Sequence, residues 1–157
     1  MTGTLAQNVS KCEEYLARLR DVTLGHYIDG AFTKGAVGET YDNVTPVDNS
    51  VLGKVVQGTV EDMDAACEAA HRAFASWRDT PGAERKKLLH HFADRIVERA
   101  EEIALLESID CGQPITFMKQ AAIRGAANFR FFADKAPEAR DGLALQQEHH
   151  TNYTMRT

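Results

Sequence analysis

The feature that most constrains the fold is a series of four helical patterns between residues 59 and 135, with no strand-like segment between them. At the start of the first pattern, Thr59 and Asp62 have the spacing of a capping box. Apolar residues then recur along one face of this helix: Val60, Met63, Cys67, Ala70, Phe74 and Trp77. The alternation of strands and helices that a parallel nucleotide-binding sheet requires is absent. The sequence therefore predicts a mostly α-helical segment and excludes an isolated sheet of that kind within it.

Three further helices follow. Thr80 is predicted to cap the second one, with Pro81 at its first helical position. Its predicted buried face consists of Leu88, Leu89, Phe92 and Ile96. The third begins near Ala100 and ends at Gly112, which suits a left-handed C-cap. The last is predicted over Ile115–Lys135 and is ended by Pro137. Its apolar stripe consists of Met118, Ala122, Gly125, Phe129 and Phe132.

The chain before residue 59 predicts one helix and a small β region. Apolar residues at helical spacing predict a helix over Leu5–Leu19. Asp29-Gly30 lies between apolar segments, which is a strong signal for a β-hairpin because both turn residues tolerate positive φ. Tyr41–Val44 and Val51–Gln57 are predicted strands joined by a polar turn. At the other end of the chain, Thr151–Arg156 alternates enough to predict a C-terminal strand.

Charge and cysteine content narrow the class of protein. The formal net charge is -5 and no basic run occurs, which argues against nucleic acid as a partner. Cys12, Cys67 and Cys111 are widely spaced and odd in number, a pattern that suits a reducing cytosol. The N-terminus has no basic start followed by an apolar stretch, and no run approaches the ~18 apolar residues of a membrane helix. We therefore expect a cytoplasmic protein that binds no membrane.

Phosphate-binding loops and metal-binding histidines are weakly supported. Gly30–Gly35 and Gly53–Gly58 have the glycine spacing of a P-loop but lack its lysine, and no dinucleotide fingerprint occurs. We therefore expect no cofactor-binding residue in this segment. His90 and His91 would point about 100° apart on a helix, so they cannot share a face. We expect these histidines, and the pair His149-His150, to be exposed to solvent.

Cys111 and Asp110 lie at the predicted C-terminus of the third helix in this series. The helix dipole disfavours a thiolate there, and no histidine is near Cys111 in sequence, so a cysteine in a capping loop is favoured over a nucleophile. The carboxylate of Asp110 also opposes the dipole. A bound cation, an arginine or a backbone donor would offset that cost, and exposure to solvent is the alternative.

Several segments together resemble the aldehyde dehydrogenase family, in the right order and at the right spacing. The resemblance covers roughly residues 24 to 157, although Thr45 stands where the family usually has asparagine. The matching segments are His26–Phe32, Asn43–Pro46 with Gly53–Val55, Ala65–Trp77, Pro81–Ile96, Glu107–Pro114 and Phe131–Ala136. Residues Thr151–Thr154 and the position of Asp141-Gly142 look most like the branch that oxidises 5-carboxymethyl-2-hydroxymuconate semialdehyde in aromatic catabolism.

The resemblance implies an α/β family fold in which this segment is mostly α-helical. Residues 1–23 would form an N-terminal helix, and residues 24–137 the helical lead-in of the cofactor-binding domain. Residues 138–157 would begin the oligomerisation β-arm. The chain's partners would then be the remainder of the dehydrogenase subunit and further copies in a homo-oligomer. With the cofactor sheet outside this segment, the stripes that contain Phe74, Trp77, Phe92, Phe129 and Phe132 should lack a full set of neighbours.

The resemblance also implies the chemistry of the whole enzyme, which oxidises an aldehyde to a carboxylic acid with NAD or NADP. In the family a cysteine thiolate attacks the aldehyde and a glutamate activates water. These groups come later in the family's sequences, so we expect no catalytic residue here and no activity from this segment alone. A non-catalytic helical module that binds another protein, or the product of a truncated gene, is the alternative.

One family site falls within the segment. Many members bind a monovalent cation through backbone carbonyls near the Asn43–Pro46 segment and through the aspartate that corresponds to Asp110. Residue by residue, the resemblance implies Asn43, Val44 and Asp110 as ligands, and a hard cation suits oxygen donors.

Overall fold

The computed structural model describes residues 3–20, 22–139 and 144–154. Helices dominate these residues, as the sequence predicted. They are α1 (Leu5–Arg20), α2 (Val60–Asp79), α3 (Gly82–Glu98), α4 (Ala100–Cys111) and α5 (Ile115–Lys135). A short 3-10 turn, Ala136–Glu138, follows α5, and none of the described helices is long and apolar enough to cross a membrane.

The strands form three small sheets in the described residues. They are β1 (Thr23–Leu24), β2 (His26–Ile28), β3 (Ala31–Thr33), β4 (Thr40–Val44), β5 (Val51–Val56), β6 (Ala144–Gln146) and β7 (Thr151–Tyr153). In the largest sheet, β5 lies between β1, which is parallel to it, and β4, which is antiparallel. The hairpins β2–β3 and β6–β7 form the other two sheets.

The hairpin predicted at Asp29-Gly30 is confirmed. Asp29 has φ 53° and Gly30 has φ 79°, so both turn residues adopt the left-handed conformation that a two-residue hairpin loop requires. The register pairs Ile28 with Ala31 and His26 with Thr33. The hairpin lies next to the middle of α2, where Arg72 forms an exposed ion pair with Asp29.

The helix ends confirm most of the sequence signals and correct two of them, at Thr80 and Pro81. Pro81 is not at the first helical position but is the N-cap of α3, with ψ 143°, and the helix begins at Gly82. The capping box of Thr59 and Asp62 is present at the start of α2, and Gly112 ends α4 with φ 72°. The prediction that Thr80 caps α3 is wrong. Its hydroxyl donates to the carbonyl of Ser76, and its backbone N–H to the carbonyl of Trp77. Because α2 continues to Asp79, its own unpaired carbonyls take the donors of Thr80, and α3 begins without a side-chain cap.

The core of the helical region is built mainly from alanine. The helices α3 and α5 pack along a face in which Ala93, Ala126 and Ala133 are completely buried. The predicted buried face of α3 is therefore partly wrong, since Leu88 is 55% and Phe92 50% exposed. Phe92 still contacts α5, because its ring lies edge-on to that of Phe129 with the centroids 4.8 Å apart.

The large apolar side chains of α2 are also uncovered. Phe74 is 57% and Trp77 45% exposed, and Val60 and Met63 are exposed as well. Phe129 and Phe132 of α5 are likewise exposed. The prediction that these apolar stripes lack a full set of neighbours is confirmed.

The C-terminal strand is confirmed as β7, and its pairing with β6 in a hairpin was not predicted from the sequence. All residues of this hairpin are exposed. Two features of the sequence analysis, Asp141-Gly142 and Arg156, lie outside the described residues.

Candidate functional site

A junction between the β4–β5 turn and the C-terminus of α4 contains the residues that the sequence singled out. Thr45, which directly follows β4, is 1% exposed. Its hydroxyl donates to the backbone carbonyl of Ile109 and accepts a 3.3 Å hydrogen bond from the backbone N–H of Val47. The last carbonyls of a helix have no partner within the helix. Thr45 therefore satisfies one of these carbonyls and fixes the turn against α4.

Asp110 is held at this junction by Asn43. The side-chain amide of Asn43 donates to Asp110 Oδ1 over 2.6 Å. A carboxylate near a helix C-terminus is destabilised by the helix dipole, and a hydrogen bond to the charged group offsets part of that cost. The sequence predicted either a cation, an arginine or a backbone donor at Asp110, or exposure to solvent. In the structure Asp110 is exposed, and its donor is a side-chain amide.

The structure brings the side chains of two of the three predicted cation ligands, Asn43 and Asp110, into contact. Val44 follows Asn43 in β4, where the register with β5 shifts between the two residues. Such an irregularity re-aims backbone groups relative to the regular ladder. The side chain of Asn43 therefore links this strand to Asp110.

Two contributors to the junction were missed from the sequence. Thr45 was noted only as a departure from the family's asparagine, although both residue types carry a polar side chain that can hydrogen bond. Pro46 packs against Gly112, where an added Cβ would lie 3.0 Å from Pro46 Cγ. Only the contact between a turn and a helix that is distant in sequence shows their roles.

A mainly apolar cavity of about 420 Å³ opens beside the junction, between α1, β5 and α4. Its polar lining comprises Asn43, Glu107 and Asp110. Aliphatic side chains form most of the remaining wall, among them Leu16, Leu19, Leu24, Leu52, Ile103 and Leu106. The junction therefore combines acidic groups with an apolar space.

Cys111 forms hydrogen bonds within its own helix. Its thiol donates to the backbone carbonyl of Glu107 over 2.9 Å, and the Glu107 carboxylate lies 3.5 Å from the same sulfur. No histidine among the described residues contacts it. This geometry is that of a cysteine at a helix end, which the sequence favoured over a nucleophile.

The expectation that the histidines are simply exposed is wrong for His90. Its Nε2 lies 2.9 Å from Asp134 Oδ1, and Lys86 Nζ contacts the same oxygen over 2.9 Å. These hydrogen bonds from His90 and Lys86 hold the pKa of Asp134 below its usual value. The contacts join α3 to α5. His91, His149 and His150 are exposed, as expected.

Comparison with known sequences decides the family. The sequence pattern described as "Aldehyde dehydrogenase family" matches residues 32–157. The chain belongs to the aldehyde dehydrogenase family.

Relatives within this family include bacterial enzymes. An aldehyde dehydrogenase of Rhodospirillum rubrum is 41% identical over 109 residues, which cover 69% of this chain and 22% of the relative. The 2-hydroxymuconic semialdehyde dehydrogenase of Pseudomonas sp. strain CF600 is 38% identical over 111 residues, covering 69% of this chain and 23% of the relative. The chain therefore spans about a quarter of the length of these aldehyde dehydrogenases.

Solved structures have the same local fold. HpcC from Thermus thermophilus superimposes with a TM-score of 0.83 at 34% identity, covering 89% of this chain and 27% of that one. PnpE in complex with nicotinamide adenine dinucleotide superimposes with a TM-score of 0.74 at 37% identity, covering 84% and 27% of the two chains. The family fold predicted for this segment is thereby confirmed.

The segment Gly53–Gly58 is not arranged as a phosphate-binding loop. Gly53 is paired with Asn43 inside the sheet, and Gly58 leads directly into the capping box of α2. Asp62 and Thr59 occupy N–H groups at that helix start, which would otherwise be available to a phosphate. No group of three or more His, Cys, Asp or Glu side chains in the described residues is arranged to hold a metal ion.

Proposed function

We propose that this chain is the N-terminal part of an enzyme that oxidises an aldehyde to a carboxylic acid with NAD or NADP. The observation that carries the proposal is the family match over residues 32–157, within relatives about three times as long as this chain. The catalytic cysteine, the glutamate base and the cofactor sheet would come from the remainder of the subunit. This chain contributes no catalytic group.

The role proposed for the chain is structural. Residues 1–23 provide an N-terminal helix, and residues 24–137 pack on the cofactor-binding domain. The exposed aromatic residues of α2, such as Phe74 and Trp77, support this role because contiguous apolar surface usually marks an interaction site. Covering them with the remainder of the subunit would complete the apolar core.

Residues 138–157 begin the arm that joins subunits into a homo-oligomer. The hairpin β6–β7 supports this part of the proposal, because each of its strands has an edge without a partner among the described residues. Leu145 and Tyr153 on this hairpin are exposed. Such edges readily pair with a strand of another chain.

The substrate proposed is a semialdehyde from the breakdown of aromatic compounds. The similarity to the 2-hydroxymuconic semialdehyde dehydrogenase of Pseudomonas supports this class. The resemblance of Thr151–Thr154 to the branch that oxidises 5-carboxymethyl-2-hydroxymuconate semialdehyde supports it as well. The cysteines Cys12, Cys67 and Cys111 are unpaired, which supports a cytoplasmic location.

The test of this function is to map the native gene product by mass spectrometry and to assay it. We expect peptides that extend beyond Thr157 and contain a Gly-Gln-x-Cys segment. The purified product should reduce NAD⁺ or NADP⁺ when it is given 2-hydroxymuconic semialdehyde or its 5-carboxymethyl derivative. A product that ends at Thr157 would exclude catalysis by this protein and would favour a helical module that binds another protein.

We also propose a monovalent cation at the junction, with Asn43, Val44 and Asp110 as ligands. The 2.6 Å contact between Asn43 and Asp110 supports it, because it holds the carboxylate beside the turn that would supply backbone carbonyls. The native product should melt at a higher temperature in Na⁺ or K⁺ than in a bulky organic cation. Asp110→Ala should remove that difference, whereas Asp64→Ala on the exposed face of α2 should preserve it. Equal melting temperatures of the unmodified protein in all three cations would contradict the proposal.

A further inference from the structure

A histidine and a carboxylate connect the hairpin β2–β3 to the start of α2. Nε2 of His26, the first residue of β2, lies 3.7 Å from Asp62 Oδ2, and the two side chains are 27% and 12% exposed. Asp62 also caps α2 together with Thr59. Its Oδ1 accepts a 2.9 Å hydrogen bond from the backbone N–H of Ala36, in the segment that follows β3. Three separate segments of the chain therefore meet at one carboxylate.

Nε2 of His26 is buried and has no hydrogen-bond partner among the described residues. The 3.7 Å separation from Asp62 is too long for a hydrogen bond. In a neutral imidazole, Nε2 carries either a lone pair beside the carboxylate or an N–H that does not reach it. A protonated imidazole has both a positive charge and an N–H at Nε2, and a small movement would bring that N–H onto Asp62. The neutral form therefore leaves a buried polar atom unpaired, and the protonated form pairs it.

Apart from Asp62, the described residues that face His26 from neighbouring elements carry no charge. They include Thr33, Gly35, Gln57, Gly58, Thr59 and Met63. Tyr27, next to His26 in β2, is uncharged near neutral pH. Lys34 and Glu61 flank these segments in sequence, and both are exposed. Asp62 is therefore the charged group that the imidazole meets within the described chain.

Asp62 keeps its charge over the pH range in which histidines titrate. Burial opposes ionisation, but hydrogen bonds from Thr59 and Ala36 and the charge of His26 hold the pKa of Asp62 below its usual value. Of the two groups, only the imidazole then changes charge near neutral pH. The strength of the contact therefore depends on whether His26 carries a proton.

We propose that His26 and Asp62 form a pH-sensitive latch, which holds the hairpin β2–β3 and the segment after it against α2. When His26 is protonated, its Nε2 donates to Asp62 and the latch is closed. When His26 is neutral, the hairpin separates from α2 more readily. Because the folded state then favours the protonated imidazole, the stabilisation is complete below about pH 6.5, where histidines of an unfolded chain titrate, and is lost as the pH rises. The inference concerns the conformational stability of this segment and does not depend on the reaction of the whole enzyme.

The experiment is hydrogen–deuterium exchange of the native product at about pH 5.5 and about pH 8, read by mass spectrometry. An unperturbed histidine is about nine-tenths protonated at the first value and about 3% protonated at the second. The amides measured are those of residues 31–36, which include the N–H of Ala36 that donates to Asp62. Their exchange reports how often this segment opens. Each variant is compared with the unmodified protein at the same pH, so the effect of pH on the exchange chemistry cancels.

Two variants fix the charge at position 26. At about pH 5.5, His26→Gln should exchange roughly threefold faster than the unmodified protein, because a partly exposed ion pair shifts an equilibrium by up to about fivefold. At about pH 8 the two should exchange equally. His26→Lys is charged at both pH values, so it should exchange more slowly than the unmodified protein at about pH 8 and equally at about pH 5.5. His91→Gln, at an exposed position in α3, is the matched control and should match the unmodified protein at both.

Two results would overturn the proposal. If His26→Gln exchanges like the unmodified protein at about pH 5.5, the charged imidazole adds nothing to the contact. If His26→Gln exchanges faster by the same factor at both pH values, the side chain has a structural role that does not involve its proton. Should His26→Gln fail to fold, the comparison of His26→Lys with the unmodified protein decides, and equal exchange of these two at about pH 8 would refute the latch.

Discussion

Replacing Thr45 with valine tests whether the junction depends on one buried hydroxyl. Valine has nearly the same shape as threonine but cannot hydrogen bond, so the change removes the donor to the Ile109 carbonyl and the acceptor for the Val47 N–H. Thr45 is 1% exposed, so water cannot replace the lost partner without a rearrangement. A buried polar group left without its partner costs about 1–3 kcal/mol. We expect the free energy of unfolding of Thr45→Val to fall by that amount.

The change should be visible in melting and in urea unfolding. For a domain of 150–250 residues, each kcal/mol lowers the melting temperature by roughly 2–4 °C, and we expect a smaller shift in the same direction for the longer native product. The dependence of unfolding on urea should keep its slope, because the surface exposed on unfolding is unchanged. Far-UV circular dichroism of the native product at a fixed pH provides both measurements.

Two variants make the result specific to the hydroxyl. Thr45→Ser keeps the hydrogen bonds and removes only a methyl group, so it should cost about 1 kcal/mol or less. Thr40→Val makes the same chemical change at an exposed position in β4 and should stay within ~0.5 kcal/mol of the unmodified protein. If Thr45→Val unfolds within ~0.5 kcal/mol of the unmodified protein, the hydroxyl does not hold the turn to α4 and the reasoning fails.

Further predictions concern helix packing, capping and pH. Gly82→Ala should lower the melting temperature, because the added Cβ would lie 2.6 Å from a backbone oxygen at the end of α5. Gly125→Ala in α5 should raise the melting temperature, because its Cβ would meet no atom within 4 Å and alanine favours a helix more than glycine does. Thr59→Ala should lower the free energy of unfolding in urea by about 1 kcal/mol, because it removes the cap of α2. An unchanged free energy of unfolding would show that α2 does not need the cap. The hydrogen bond from His90 keeps the pKa of Asp134 below the ordinary 3.8, so its stabilising contribution is complete above pH 3.8 and is lost as the pH falls below that value. In a carboxyl NMR titration, His90→Ala should move the Asp134 pKa upward, and an unchanged titration would exclude that cause.

The features predicted correctly from the sequence depend on residues close together in the chain. The Asp29-Gly30 turn needs positive φ at adjacent positions, and the capping box needs a fixed spacing of three residues. Gly112 ends α4 because glycine readily adopts the positive φ that this helix end requires. Local conformational preferences act in the same way wherever the segment lies. These elements were therefore accessible without knowledge of the tertiary contacts.

The errors arose where segments compete or contact one another across the fold. Thr80 carries the signal of a helix start, but α2 extends far enough to use its donors. His90 appeared to be a surface histidine until α5 placed Asp134 beside it. Helical periodicity showed that α3 has an apolar face, but not which part of that face α5 covers. The contact between α3 and α5 buries Ala93 completely and leaves Phe92 half exposed.

For the candidate site, the sequence by itself supplied the family, an acidic residue at an unfavourable helix end, and the segment beside which it would lie. The sequence did not show which contacts hold this acidic residue and that segment together. The tertiary structure placed Asn43 against Asp110, buried Thr45 beneath the end of α4, and opened an apolar cavity next to both. These contacts join residues more than sixty positions apart, so no local pattern encodes them. The sequence determined the helices, caps and turns, because these follow from local backbone preferences. Only packing between distant segments decided which polar groups meet and which apolar surfaces stay uncovered.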